Sequence, residues 1–464
     1  MLILCIVSLA SAGLLTNITS YDQIADSGDQ YPQFLPYKPP NLPFQPKKVL
    51  FALGDGVEDH EVYFLHQYFT DRGAAVLFGC FSKQVVISDF FKPSYILDCL
   101  DLQTVDLHAF DAVYVPGGVP SSSSLRVTGF PSRLREFWAN SDASKLVAII
   151  CSGNEVLIEA EFLSILPAVV GSPASFLPLE IGFQSVFKPA SNYKGLDNLY
   201  SAISYPPTDQ TLPNPGKRAA LVLGKNPANS LPFVVEISKM WGLNEQIPPE
   251  GKGTPLNFLN GKYNSPQFLP VTNLNQLPKI PLTPFSLNFN IAGHKNVAVA
   301  ISSGASYEEV DFWNRYFLSQ GAEVTFTCPS WIPPYKQGKV FLHSSPPANV
   351  LAYAQCDYGF DKDFSIFDLI IVPGGLFSTG GVLRNDPLLP SILNDHLLKG
   401  RGNLIFSGTG NELLLPSRLA MGALVSAPKE NRRDLMNGGY SISMAPFSLI
   451  PTPQGTIYTF SADK

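Results

Sequence analysis

Positive charge is in short supply in this chain. Its 464 residues carry 32 Lys and Arg against 38 Asp and Glu, a formal net charge of −6. No basic stripe runs along it, which argues against nucleic acid as a partner. Long apolar runs are missing too. Beyond the first dozen residues nothing approaches the ~20 consecutive apolar residues needed to cross a bilayer, so no membrane span is expected. Histidine is limited to His60, His66, His108, His294, His343 and His396. No Cys/His cluster has metal-ligand spacing, and neither a metal nor a cofactor is expected.

Cysteine is also scarce, at six residues, and the placement of those six is informative. The start, "MLILCIVSLASAG", is a short apolar run closed by Ala10-Ser11-Ala12. It reads as a secretory signal over residues 1–12, which places the protein outside the cell or in the secretory lumen. Five cysteines then remain. Cys80 matches Cys328 at a shift of 248 residues, and Cys99 matches Cys356 at a shift of 257. In an oxidising compartment these read as two disulfides, Cys80–Cys99 and Cys328–Cys356. The alternative is four buried thiols kept by duplication. Cys151 is left over in either case.

The two shifts mark an internal repeat. Residues 56–79 align without a gap on 304–327, and residues 110–157 align on 367–414. The organisation read from this is a signal at 1–12, an extended Pro-rich leader at 13–46 and a first domain at 47–243. A Pro-, Asn- and Gly-rich linker follows at 244–290, then a second domain at 291–464. The second domain is C-terminally short, since it stops before any counterpart of "LPFVVEISKMWG".

Within each copy, short apolar strands alternate with amphipathic helices. In the first copy "KVLFALG", "AAVLFGC", "FDAVYVPGG", "KLVAIIC" and "RAALVLG" read as buried strands. The helices are "EDHEVYFLHQYFTDRG", closed by Gly73, then "PSRLREFWANSD", "NEVLIEAEFL" and "LPFVVEISKMWG". A small hairpin is expected around Val85–Leu102. Buried strands alternating with helices give a mainly parallel sheet covered on both faces. The predicted fold is α/β: two tandem flavodoxin-like, doubly wound domains.

Open sheets of this kind place their sites at the carboxyl ends of the strands. There "VAIICSGNEVLI" puts Cys151 at a strand-to-helix turn, and "NLIFSGTGNELLL" puts Gly408 at the same point of the second copy. A thiol at a helix N-terminus is expected to be held as thiolate. The backbone amides of Ser152 and of Gly118, in the Pro116-Gly117-Gly118 turn, form a candidate oxyanion hole. Glu61 is the candidate carboxylate beside the sulfur, with Glu309 as its counterpart. Glu58 and Asp59 read as first-turn residues placed by the helix dipole. The second copy, without a thiol, reads as an inactive structural partner. Ser407, one residue early, is expected to point into the strand layer.

The blocks "GVEDHEV", "FDAVYVPGGVPSSSSLR" and "VAIICSGNEVLIEAEFL" together resemble the signature blocks of the ThiJ/PfpI (DJ-type) family. That family belongs to the class-I glutamine-amidotransferase-like folds. The resemblance implies Cys151 as elbow nucleophile, Glu61 as its carboxylate, and Gly118 and Ser152 as oxyanion donors. It also implies an intramolecular pseudo-dimer, with the two copies packed like the family's usual dimer. The chain departs from the pattern at Ser152, where many members have histidine, and at Asn154, where proline is common. A Cys–His dyad is left only His60, His66, His108 or a residue of the second copy. These gaps weaken peptidase chemistry, which needs an acid for the leaving amine. They weaken thiol addition to a carbonyl less. The expected function is a cysteine-dependent, glyoxalase-like lyase or hydrolase acting on a small carbonyl or acyl substrate. The alternatives are a catalytically degenerate secreted binding or redox-sensing protein, and a holdase-like chaperone.

Overall fold

The computed structural model describes residues 47–242, 271–273 and 293–462, apart from short breaks within these ranges. The stretches read as signal and leader, and most of the one read as linker, lie outside the described residues.

The first half forms a seven-stranded sheet. Its strands are β1 (Lys48–Ala52), β2 (Ala75–Cys80), β3 (Leu100–Asp101), β4 (Ala112–Val115), β5 (Leu146–Ile150), β6 (Ala202–Tyr205) and β7 (Ala220–Gly224). Their order across the sheet is β6-β7-β5-β4-β1-β2-β3. Every pairing is parallel except β6 with β7. Alternation along β1 explains the two covered faces. Val49 and Phe51 join one core with Leu65 and Phe69, while Leu50 and Ala52 join the other with Leu134, Phe137 and Trp138. Leu65 and Phe69 lie on α1 (Asp59–Thr70). Between them in the chain and the other face lies α2 (Val119–Arg126), followed by α3 (Phe130–Asn140), which carries Leu134 and Trp138. Further on come α4 (Phe176–Val186) and α5 (Ser230–Met240). Side chains of successive strand residues point to opposite faces, so a continuous apolar run is what a doubly covered strand requires.

The second half repeats the plan. Its strands are β8 (Asn296–Ala300), β9 (Glu323–Cys328), β10 (Tyr358–Gly359), β11 (Leu369–Val372), β12 (Asn403–Ser407), β13 (Phe447–Thr452) and β14 (Gly455–Phe460). They stand in the order β13-β14-β12-β11-β8-β9-β10, the same winding as the first sheet. The covering helices are α6 (Tyr307–Ser319), α7 (Leu389–Leu398) and α8 (Lys429–Asn437). Both sheets are mostly parallel and doubly wound, the fold class expected of the sequence. Within the stretch read as a linker, Val271–Asn273 pairs in parallel with Leu351–Tyr353, so it adds a strand to a small side sheet of the second half. Among the described residues no helix is long and apolar enough to cross a membrane.

Two disulfides sit at equivalent places. Cys80, ending β2, joins Cys99, with Cα atoms 5.5 Å apart; Cys328, ending β9, joins Cys356 at 6.3 Å. Each ties the edge of its sheet to the segment that follows. Such bridges persist in oxidising compartments, which is compatible with a secretory location.

The two halves meet through α4 and α8. Leu177 and Ile181 of α4 pack on the apolar core of the second half, which includes Leu414, Leu415 and Leu435. A buried ionic cluster accompanies this seam. All five donors of the Arg126 guanidinium are used: two on Glu159, two on Asp434 of α8, and one on Glu155 at 3.0 Å. Arg384 repeats part of this in the second half, bonding Glu412 at 2.9 Å. Burial pushes the Glu412 carboxyl up to about 7, with Arg384 opposing and Asp434 and Glu155 adding to the rise. Four carboxylates gather there around two guanidiniums.

Candidate active site

Cys151 follows directly on β5 with φ at 60°, in the left-handed region that L side chains avoid. Holding a non-glycine residue there costs on the order of 1–3 kcal/mol, and such strain persists only where the surroundings impose it. The same turn in the second half is Gly408, at φ 52°, where glycine carries little of that cost. Cys151 is 8% exposed and is the free cysteine of the described chain.

Glu61 is fully buried, and its carboxylate lies beside the Cys151 sulfur. Its Oε2 accepts the Gly117 N–H at 2.5 Å. A Cβ on Gly117 would lie 2.9 Å from both Cys151 Sγ and Glu61 Oε2. Any side chain there would be driven between sulfur and carboxylate, so the middle residue of the Pro-Gly-Gly turn has to be glycine. Gly118 is at φ 93°, and a Cβ on it would collide with the Gly56 carbonyl. Glu58 caps α1 by accepting the Glu61 N–H at 2.7 Å, which fixes the start of the helix that presents Glu61. Tyr114 donates to the Glu61 carbonyl at 3.2 Å, and burial raises its hydroxyl well above the usual range, helped by Glu61, Glu58 and Cys151.

The expectation of a stabilised thiolate is overturned. Burial pushes the Cys151 thiol up first, Glu61 and Glu58 add repulsion, and only the Ser152 N–H bonded to the sulfur works the other way. The helix read from "NEVLIEAEFL" is also shorter than expected. A 3₁₀ turn over Cys151–Glu155 leads into a single α-turn, Val156–Glu159, and Glu161 is left-handed at φ 58°. Little helix dipole is aimed at the sulfur. The Ser152 hydroxyl is buried and bonds nothing among the described residues.

The histidines with described side chains have other neighbours. His66 stacks on Phe78 at 5.7 Å, His108 lies against Phe137, His294 meets Asn403, and His396 is buried on α7 beside Gly402. The side chains of His60 and His343 lie outside the described set. Among the described residues no group of three or more His, Cys, Asp or Glu is arranged to hold a metal ion.

The equivalent place in the second half is closed on itself. Ser407 was expected to point into the strand layer; instead its hydroxyl donates to Glu309 Oε2 at 2.5 Å and accepts the Trp313 Nε1–H at 2.9 Å. Burial raises the Glu309 carboxyl, while Ser407 and Gly374 oppose the rise. The Gly375 amide, counterpart of Gly118, donates to Thr409 Oγ1 at 2.9 Å. A Cβ on Gly408 would land on the Glu309 carboxylate. Gly408→Cys is therefore expected to lower stability by about 1–3 kcal/mol without recreating the first site. Urea denaturation and thiol titration of the variant check this, and a second thiol as reactive as Cys151 with unchanged stability would contradict it.

Residues 47–167 match the model of the DJ-1/PfpI family. No curated protein matches the chain. Among solved structures it is similar to Schizosaccharomyces pombe DJ-1, at 15% identity over 41% of this chain and 90% of that one, with a TM-score of 0.32. It is similar to Drosophila melanogaster DJ-1beta at 18% identity, over 43% of this chain and 92% of that one, with a TM-score of 0.32. For oxidised Toxoplasma gondii DJ-1 the figures are 18%, 42%, 91% and 0.32.

Proposed function

The first half of the chain carries a domain of the DJ-1/PfpI family, and on that premise we propose that it is a cysteine-dependent, glyoxalase-like enzyme acting on small reactive carbonyl or acyl compounds. The observation that carries this reading is a strained Cys151, outside any disulfide, with the fully buried Glu61 carboxylate beside it.

The raised thiol defines how the pair would work. The Glu61 charge opposes a thiolate at Cys151, so the thiol proton needs an acceptor as the sulfur attacks. Glu61 takes that proton as the sulfur adds to an aldehyde carbon; the C–S bond forms, and the carbonyl π electrons move to oxygen. Amides at the Pro-Gly-Gly turn and the elbow receive the developing negative charge. With an α-oxoaldehyde, moving the aldehyde hydrogen as a proton to the adjacent carbonyl carbon leaves a thioester. Water then hydrolyses it to the hydroxy acid and frees the sulfur. No external oxidant is needed, because one carbon is oxidised as its neighbour is reduced. The second half supports the first as a partner in cis.

Glu61→Gln keeps the shape and removes the base. Turnover of methylglyoxal is expected to fall about 10²- to 10⁴-fold. Steady-state kinetics on the unreduced protein test this; a loss smaller than threefold would remove Glu61 from the mechanism.

A further inference from the structure

Glu155 ends the 3₁₀ turn that Cys151 begins. It is buried, and both of its oxygens are held. Its Oε2 takes Arg126, while its Oε1 takes the Ser175 hydroxyl at 2.8 Å and lies 3.5 Å from Arg384 Nη2. Arg384 belongs to the second half. It has a partner of its own there, Glu412, in the pairing that repeats Arg126 with Glu155. Its other nitrogen crosses the seam, bonding the Ala174 carbonyl as well as approaching Glu155. Ala174 and Ser175 form a 3₁₀ turn of the first half, Pro173–Ser175. One guanidinium from the second half thus grips the two segments of the first half that enclose the far end of the cysteine turn.

We propose that Arg384 is a positioning residue for the Cys151 turn, acting through Glu155 from the other half of the molecule. This rests on the reading of Cys151 as the reacting thiol. A residue at φ 60° relaxes unless its neighbours prevent it, and the restraint must reach both ends of the turn. At the near end, the buried Glu61 carboxylate and the Gly117 turn lie against the sulfur. At the far end, Glu155 is the anchor. Two cations hold it, one from each half: Arg126, at the end of the helix that starts after Gly118, and Arg384. A second half with no nucleophile would then keep a function that selection can act on, which is to hold the first half's turn in its strained state. The planar guanidinium suits this role, because it reaches a carboxylate, a carbonyl and its own Glu412 at once.

The test uses the full-length, unreduced protein with Arg384→Met and Arg384→Lys. The first readout is the rate at which iodoacetamide alkylates Cys151, followed by peptide mass spectrometry. The second is kcat and KM with methylglyoxal. Arg384→Met is expected to change the Cys151 alkylation rate by tenfold or more. It should also lower kcat by a similar factor with KM altered less than threefold, while Arg384→Lys recovers part of both. A folded Met variant with wild-type alkylation would overturn the proposal. Should the Met variant fail to fold, Arg384→Lys decides alone: a change of threefold or more supports the role, and an unchanged rate overturns it. The alkylation readout does not depend on turnover. An inactive wild type with Arg384-sensitive alkylation would therefore count against the enzymatic reading and not against the coupling.

Discussion

Cys151→Ser is expected to reduce methylglyoxal consumption by on the order of 10³-fold or more, to the level of the buffer, because no other described cysteine is unpaired. The substitution exchanges sulfur for a smaller, far less acidic hydroxyl at a position whose strain is unchanged. Stability should shift by less than about 1.5 kcal/mol, the range of near-isosteric core changes. Steady-state assays with matched thermal melts separate the two effects. Retention of a tenth of the activity in a fully folded Ser variant would show that the chemistry resides elsewhere.

Arg126→Met is expected to cost about 3–5 kcal/mol of stability, the range seen when one partner of a buried pair is removed. The reason lies in what remains behind. Arg126 alone neutralises Asp434 and Glu159 and is one of two cations on Glu155, and its side chain is 2% exposed. Burial works to lower its charge, yet Asp434 and Glu159 hold its pKa well above the ordinary arginine value. Removing it strands two carboxylates at the seam between the halves. Urea denaturation at pH 7 reads the loss, and the midpoint should fall without a second phase if both halves unfold together. A loss below 1 kcal/mol would show that Arg126 contributes little and that the seam is held by the apolar packing of Leu177 and Ile181 and by Arg384.

Much of the fold was legible because it is written locally. The strand of Lys48–Ala52 is a short apolar run, and the helix of Asp59–Thr70 carries its cap and its Gly73 stop in sequence. The cysteine pairs were legible because duplication matched them at constant shifts. Glu61 and Cys151 were legible as types in a pattern, one in the first turn of a helix and the other directly after a strand.

The charge at the sulfur was not legible. It depends on burial and on two carboxylates brought in by another turn, whereas the sequence shows only that a helix-forming stretch follows. That stretch itself breaks at Glu161, a residue with no propensity signal for a left-handed turn. The role of Ser407 was missed because its neighbour Gly408 leaves room for Glu309 to swing across, a three-dimensional consequence of losing one side chain. The ionic cluster was hidden for a different reason. Arg126 and Asp434 are 308 residues apart, and Arg384 is one residue out of register with Arg126 at the shift of 257 that aligns Glu155 with Glu412. An ungapped comparison passes over it.

The most direct measurement is alkylation of the native, unreduced protein by iodoacetamide at pH 7, with and without methylglyoxal, followed residue by residue by mass spectrometry. Label should accumulate on Cys151 alone, and the carbonyl compound should slow it in proportion to its occupancy of the sulfur. Label on any of Cys80, Cys99, Cys328 or Cys356, or a Cys151 rate indifferent to methylglyoxal, would contradict the account.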